Sequence, residues 1–219
     1  MRYYAHFGHK DFILCLGYRG ELIKEYFLNY DERIMNNFVM RQGGNDVELL
    51  GQDIADWTIT FVDTGMHTNI GERLKAVQPF LEGEEYFLAN YSDGLSDLPL
   101  DAHIDHFLRR DAVASFVSVR PSTSFHAVSL EDGGFVSDIS RVQAADLWIN
   151  GGFFILKARI FEYMRDGEEL VEEPFQRLIE QRKLLSIRHD GFWAAMDTFK
   201  DKKMFDVMHE RGETPWVVW

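Results

Sequence analysis

Short, nearly unbroken apolar runs alternate along the chain with stretches in which apolar residues recur every three to four positions. Runs of the first kind fit strands buried on both faces, and the second pattern fits amphipathic helices. Phe12-Ile13-Leu14-Cys15-Leu16, stopped by Gly17, predicts a buried strand. Glu21–Tyr30 predicts a helix with Leu22, Ile23, Tyr26 and Phe27 on one face. Trp57–Val62 predicts a second strand, Asp63–Gly71 a loop and Glu72–Leu81 a helix. Tyr86–Tyr91 predicts a strand halted by Ser92-Asp93-Gly94, followed by a helix over Leu100–Arg110 and a strand over Ala112–Val119.

Beyond that point the rhythm changes. Phe125–Leu130 and Phe135–Ile139, joined by Glu131-Asp132-Gly133-Gly134, predict an antiparallel hairpin. Trp148–Leu156 predicts one strand whose Gly151-Gly152 marks a close backbone approach. Pro174 opens a helix running to Arg182, with Glu172 and Glu173 at its positive end. Leu184–Arg188 and Phe192–Ala195 predict short strands, and Thr198–Arg211 a last amphipathic helix. No repeat or Pro/Ser-rich linker interrupts the chain, so a single α/β domain with a mixed sheet is expected over residues 1–219.

Composition narrows the function. An apolar fraction of 46% with 14% aromatic residues is incompatible with disorder. The 23 basic and 36 acidic residues give a net charge of −13, which argues against nucleic acid and against anionic membrane surfaces as partners. A membrane-spanning helix needs ~20 apolar residues, and Leu147–Leu156 is among the longer uncharged stretches. The N-terminal residues lack the apolar core of a secretory leader, and the single Cys15 excludes an intrachain disulfide. A cytoplasmic location is expected.

Two carboxylates follow predicted strands: Asp93 after Tyr86–Tyr91 and Asp197 after Phe192–Met196. Ligands of open α/β sheets bind beyond the carboxyl ends of strands, and two carboxylates there suit Mg²⁺, a hard ion that keeps waters for substrate phosphates. The competing expectations are a plain Ser-Asp-Gly turn and a helix N-cap at Asp197, with Asp97 a turn residue. Thr64–Arg73 leads into a helix whose backbone N–H groups could receive phosphate, with Arg73 clamping an oxygen, or it is a plain connector. Asn150-Gly151-Gly152 could face a hydroxylated ring, or be a β-bulge. Asp101, His103, Asp105 and His106 read as a solvated helix face rather than a metal site. No G-x-S-x-G, G-x-x-x-x-G-K-[ST] or G-x-G-x-x-G motif occurs.

Five ordered stretches, Phe12–Gly20, Val62–Lys75, Tyr91–Asp97, Trp148–Phe154 and His189–Thr198, together resemble the sugar-phosphate nucleotidyltransferases. The glucose-1-phosphate cytidylyltransferase branch is the most similar, and the ending Pro215–Trp219 resembles that branch too. The resemblance runs over almost the whole chain. It implies a Rossmann-like nucleotidyltransferase fold, with a mixed, mostly parallel sheet flanked by helices and a small hairpin insertion. It also implies the reaction CTP + glucose 1-phosphate → CDP-glucose + pyrophosphate, with a possible homo-oligomer. Asp93 and Asp197 would then hold Mg²⁺, Thr68, Gly71 and Arg73 would serve the nucleotide, and Ser92 stands where the family has Gly. Asn150, Gly151 and Glu173 would face the sugar.

Two departures accompany the resemblance. The family's Glu-Lys-Pro corresponds to Ser140-Arg141-Val142, so that Arg141 would supply the cation for the sugar phosphate. The family's opening strand, G-x-G-T-R loop and Lys-Pro segment are not found, Met1–Gly8 corresponding to the helix that follows them. A domain truncated at its N-terminus, with low activity on its own, is therefore expected. A non-catalytic remnant that binds nucleotide sugar or pairs with a full-length subunit, and a metal-dependent glycosyltransferase, are the alternatives.

Overall fold

The computed structural model describes residues 1–121, 126–142 and 146–219. They divide into one unit formed by Met1–Glu82 with Met164–Glu172 and a second formed by Gly83–Tyr163 with Glu173–Trp219.

The first unit runs α1 (Arg2–His6), β1 (Asp11–Leu16), α2 (Gly20–Leu28), α3 (Glu32–Met35), β2 (Phe38–Arg41), β3 (Asp46–Leu49), β4 (Thr58–Asp63) and α4 (Ile70–Val77). β1 and β4 pair in parallel, Asp11 opposite Thr58 and Leu16 opposite Asp63. The expectation of full burial fails for β1: Leu16 is buried, but Phe12–Cys15 are only half-buried, and β4 is its one pairing neighbour among the described residues. Two strands make a narrow floor. Phe27 of α2 reaches it, its ring 5.5 Å from that of Phe61, whereas Leu22, Ile23 and Tyr26 of the same predicted face stay exposed. The hairpin β2–β3 turns through Gln42, Gly43 and Gly44, all at positive φ. Its base is tied by Glu32, whose carboxylate accepts from the backbone N–H groups of Asp53 and Ile54 and from Asn36 Nδ2. The 164–172 segment lies against α4: Gly71 has no room for a side chain, since a Cβ there would meet the Glu168 carbonyl at 2.2 Å.

The second unit comprises β5 (Tyr86–Ala89), β6 (Gly94–Ser96), α5 (Leu100–Leu108), β7 (Ala114–Val119), β8 (His126–Leu130) and β9 (Val136–Arg141). It continues through β10 (Ile149–Asn150), β11 (Phe154–Lys157), α6 (Glu173–Glu180), β12 (Leu184–His189), β13 (Trp193–Ala195) and α7 (Phe199–Glu210). Its sheet has β11 between β5 and β7, with β12 parallel to β7 on the far side. Because β11 is antiparallel to both neighbours, β5, β7 and β12 point the same way and end at one edge. The core lies around β7 and β11, where Ala114, Ser115, Val117, Ile155 and Leu156 have no exposed surface, with Phe107 of α5 and Leu178 of α6 equally buried.

The expected strand Trp148–Leu156 is instead two strands running along one edge of β7. The break is at Gly152 (φ 75°) and Phe153 (φ 51°), a left-handed pair that no strand accommodates. The hairpin β8–β9 forms as expected and is exposed throughout β8; Phe125, at which its first strand was expected to begin, lies outside the described residues. β6 and β13 form a separate antiparallel ribbon, with Gly94 opposite Ala195. Ala194 of this ribbon is buried with Phe205 of α7 and Trp216, and the Trp216 ring lies 5.4 Å from Phe192 and 5.3 Å from Phe205.

Candidate active site

Asp93 precedes β6 and Asp197 follows β13, so the antiparallel pairing delivers both carboxylates to one end of the ribbon. The Met196 N–H donates to the Asp93 carbonyl at 3.0 Å, extending the ladder to the residue beside Asp197. The expected N-cap role does not consume Asp197: the cap of α7 is Thr198, in a reciprocal box with Asp201. Both side chains are exposed, and neither has a hydrogen-bond or ion-pair partner among the described residues. Among those residues no group of three or more His, Cys, Asp or Glu is arranged to hold a metal. A pair of free carboxylates nonetheless fits Mg²⁺, which takes one or two from a protein and completes its shell with water and phosphate oxygens.

Asp97 does more than turn the chain. Its Oδ1 accepts from the Phe192 N–H at 2.8 Å and lies 2.8 Å from His189 Nε2, while its own N–H donates to the Phe192 carbonyl at 3.2 Å. It thus fastens the loop after β12 to the strand that follows Asp93. Sequence reading missed this, because the contact spans more than ninety residues.

Two of the residues expected to face the sugar, Asn150 and Gly151, join the same ribbon. Trp193 Nε1 donates to the Gly151 carbonyl at 2.8 Å and would lie 3.9 Å from a Cβ at Gly94. Asn150 is held twice, its Oδ1 accepting from the Gly152 N–H at 2.9 Å and its Nδ2 donating to the Tyr91 hydroxyl at 3.3 Å. Asn90 Oδ1 accepts from the Phe153 N–H at 2.8 Å and so satisfies the strained turn. Glu173 opens α6 and is exposed; two residues on, Phe175 stacks against Phe116 of β7, with ring centroids 6.0 Å apart. Ser92 is exposed in the turn before β6. Arg141 is not brought to these residues: it ends β9 opposite His126 on the exposed hairpin.

In the first unit, Arg73 Nη1 donates to Thr64 Oγ1 at 2.7 Å, and the Thr68 hydroxyl reaches the carbonyls of Thr64 (2.7 Å) and Gly65 (3.0 Å). The guanidinium leaves no space at Gly17, where a Cβ would sit 2.8 Å from Nη2. Burial pushes the neighbouring Cys15 thiol up, against a smaller opposing pull from Arg73. The phosphate seat expected at the start of α4 is occupied by protein groups. Asn69 and Glu72 form a reciprocal capping box, and Glu169 Oε2 accepts from the Ile70 N–H at 3.2 Å. Two carboxylates there repel a phosphate; Arg73, Thr68 and the exposed His67 are among the other polar side chains of this loop.

His103 departs from the solvated face expected for it. It is completely buried, with Nε2 2.9 Å from Ser115 Oγ and no partner for Nδ1, and its pKa is pushed down to about 4 by burial first and by His106 second. It is a core residue.

No family model matches the chain. It is 34% identical over 220 residues to a glucose-1-phosphate cytidylyltransferase from Salmonella typhi, with all of this chain and 85% of that protein covered. It is 36% identical over 221 residues to a Bacillus subtilis protein named as a probable glucose-1-phosphate cytidylyltransferase, with the same coverage. The chain belongs to the glucose-1-phosphate cytidylyltransferase family. Its fold matches the crystal structure of HddC from Yersinia pseudotuberculosis with a TM-score of 0.61 at 14% identity, over 93% of this chain and 80% of that one. The same protein complexed with GMP-PN matches with a TM-score of 0.58. The cytidylyltransferase family thus has here the nucleotide-diphospho-sugar fold, with Asp93 and Asp197 at the end of one ribbon.

Proposed function

We propose that the chain is a sugar-1-phosphate nucleotidyltransferase that joins CTP and a hexose 1-phosphate, with glucose 1-phosphate as the reference substrate, into CDP-sugar and pyrophosphate. The pairing of Asp93 with Asp197 carries this reading, and the cytidylyltransferase relatives supply the base and the sugar. In the reaction a sugar-phosphate oxygen attacks the α-phosphorus in line. The bond to the bridging oxygen breaks, and its electron pair leaves with pyrophosphate. No proton need move, so positioning and charge dominate over acid–base chemistry. Asp93 and Asp197 would hold Mg²⁺, which when bound neutralises charge developing on phosphate oxygens. Arg73, fixed by Thr64 and Gly17, supplies the nucleotide side with a cation whose rotamer is set in advance, and Thr68 closes the loop around it. Asn150 and the Gly151 backbone face the hexose from a turn whose hydrogen bonds are already made. The nucleotide complex of HddC supports nucleotide binding by this fold, and the single cysteine of the present chain suits the cytoplasm.

The test is pyrophosphate release, with each ribonucleoside triphosphate offered in turn with glucose 1-phosphate. Release with CTP, dependent on Mg²⁺ and lowered by about a hundredfold or more in Asp93→Asn, is expected. Asp93→Asn retaining most of the rate would remove Asp93 from the metal site. Liberation of free nucleoside diphosphate from CDP-glucose, without pyrophosphate chemistry, would replace the reading with glycosyl transfer.

A further inference from the structure

A turn in the first unit holds a charged side chain where packing alone does not ask for one. β1 and β4 run parallel, so the chain leaves both at the same edge, into Gly17–Gly20 after β1 and into Thr64–Asn69 after β4. Ligands of open α/β sheets bind beyond that edge. The two segments meet there, since a Cβ at Gly17 would sit 2.8 Å from Arg73 Nη2 and 3.0 Å from the Gly65 carbonyl. Gly17–Gly20 closes tightly, the Gly20 N–H donating to the Gly17 carbonyl at 3.0 Å. Its far end is equally fixed, because a Cβ at Gly20 would meet Leu16 Cβ at 2.9 Å.

Arg19 sits in this turn at φ 55° and ψ 32°. That is the left-handed region, which glycine takes freely and a residue with a Cβ does not. Phe153 bears a similar strain, but its ring is buried in the core. Arg19 is exposed, and no hydrogen bond or ion pair holds its side chain among the described residues. Its guanidinium carbon lies 5.4 Å from the ring centroid of Tyr18, itself 71% exposed, a cation–π pairing that steadies the charge. Backbone strain kept for an exposed cation points to a ligand.

The charge pattern indicates which ligand. In the first unit Arg2, Lys10, Arg33, Arg41 and Lys75 each have a carboxylate partner. Among the described residues Arg19, Lys24, Arg73 and Arg165 have none. Lys24 lies further along α2 and Arg165 in the 164–172 segment, so Arg19 and Arg73 are the arginines at the strand-end edge. Asp63, which ends β4, accepts from the Gly65 N–H at 3.1 Å rather than from either guanidinium. In a chain of net charge −13, guanidiniums left without a carboxylate make this edge locally positive and suited to a polyanion.

Resting on the nucleotidyltransferase reading above, we propose that Arg19, steadied by Tyr18, is a second binding cation for the triphosphate of the nucleotide. It acts beside Arg73, from the loop after β1. A triphosphate spreads its charge along a tail that one guanidinium does not cover, and each guanidinium can take two phosphate oxygens. The edge thereby tells a nucleoside triphosphate from its monophosphate.

Calorimetry with Mg²⁺ present, using each ribonucleoside triphosphate, its monophosphate and glucose 1-phosphate, tests this beside thermal melting of the unliganded protein. In Arg19→Gly the affinity for the triphosphate that the unmodified protein binds should fall about tenfold, as loss of a charge-assisted contact gives. Affinities for the monophosphate and for glucose 1-phosphate should hold, and so should the melting temperature, because glycine relieves the strain. Arg19→Lys should keep part of the triphosphate affinity. Unchanged triphosphate affinity in Arg19→Gly, a loss shared equally by the monophosphate and glucose 1-phosphate, or a melting temperature lowered by several degrees would each overturn the role of Arg19 while leaving the parent reading standing. Binding of no ribonucleoside triphosphate by the unmodified protein would overturn both.

Discussion

Asp97 shows how one carboxylate can shape a site it does not enter. Its bonds to the Phe192 N–H and to His189 hold the segment that carries Asp197. Asp97→Ala would leave a backbone donor unpaired, at a cost of about 1–3 kcal/mol, and release that segment. The expected outcome is a melting temperature lower by a few degrees, together with a rise in the Mg²⁺ concentration needed for half-maximal pyrophosphate release. An unchanged Mg²⁺ dependence would reduce Asp97 to a purely structural tie. His103 makes a different prediction. With its folded pKa pushed down to about 4, against an ordinary value of 6.5, the unfolded chain takes up the proton first. The stability His103 confers is fully present above pH 6.5 and is lost as the pH falls from there towards 4, by an amount on the order of 3 kcal/mol. Urea unfolding of the parent and of His103→Gln between pH 7 and pH 4.5 checks this, since the variant should lose that part of the slope. Both roles were hidden in the sequence. A histidine three residues from another on a polar-looking helix gives no sign that Ser115 awaits it in the core, whereas the placement of Asp93 and Asp197 beyond strands was legible because each follows an apolar run.

At the scale of elements, the alternation of apolar runs and periodic stretches located β1, β4, β5, β7 and β12 and the helices α2, α4, α5, α6 and α7 to within a few residues. It did not disclose the break in Trp148–Leu156, because Phe153 at a positive φ is imposed by Asn90 from another strand. Nor did it find β2–β3, where the alternation is short and its apolar residues Phe38, Met40 and Val47 remain exposed. The break gives its own prediction. Gly152 has φ 75°, and a Cβ there would meet Asn90 Oδ1 at 2.5 Å. Gly152→Ala should therefore destabilise the second unit by roughly 1–3 kcal/mol from backbone strain alone, measured as a lower denaturant midpoint at constant slope. No loss of stability would mean that the turn relaxes without strain.

For the whole molecule, no helix among the described residues is long and apolar enough to cross a membrane. The burial of the two units differs. β7 and β11 are almost without solvent contact, while β1 and β4 are largely half-buried. Protection from solvent exchange follows such differences. In hydrogen–deuterium exchange the amides of β7 and β11 should be the slowest in the protein, and those of β1, β4 and the β2–β3 hairpin distinctly faster. Equal protection across both sets would show that the chain opens only as a whole.

The hydrogen bond from the Trp193 indole to the Gly151 carbonyl makes the turn proposed to face the sugar and the ribbon that bears Asp93 and Asp197 one mechanical piece. A ligand that moves one must move the other, so occupancy at either end is thermodynamically linked. On the proposed function, whatever factor a cation at the carboxylates applies to sugar affinity, the sugar must apply to cation affinity. The indole sits on that linkage and reports it without a label, because its emission will change when its hydrogen bond to Gly151 is disturbed from either side.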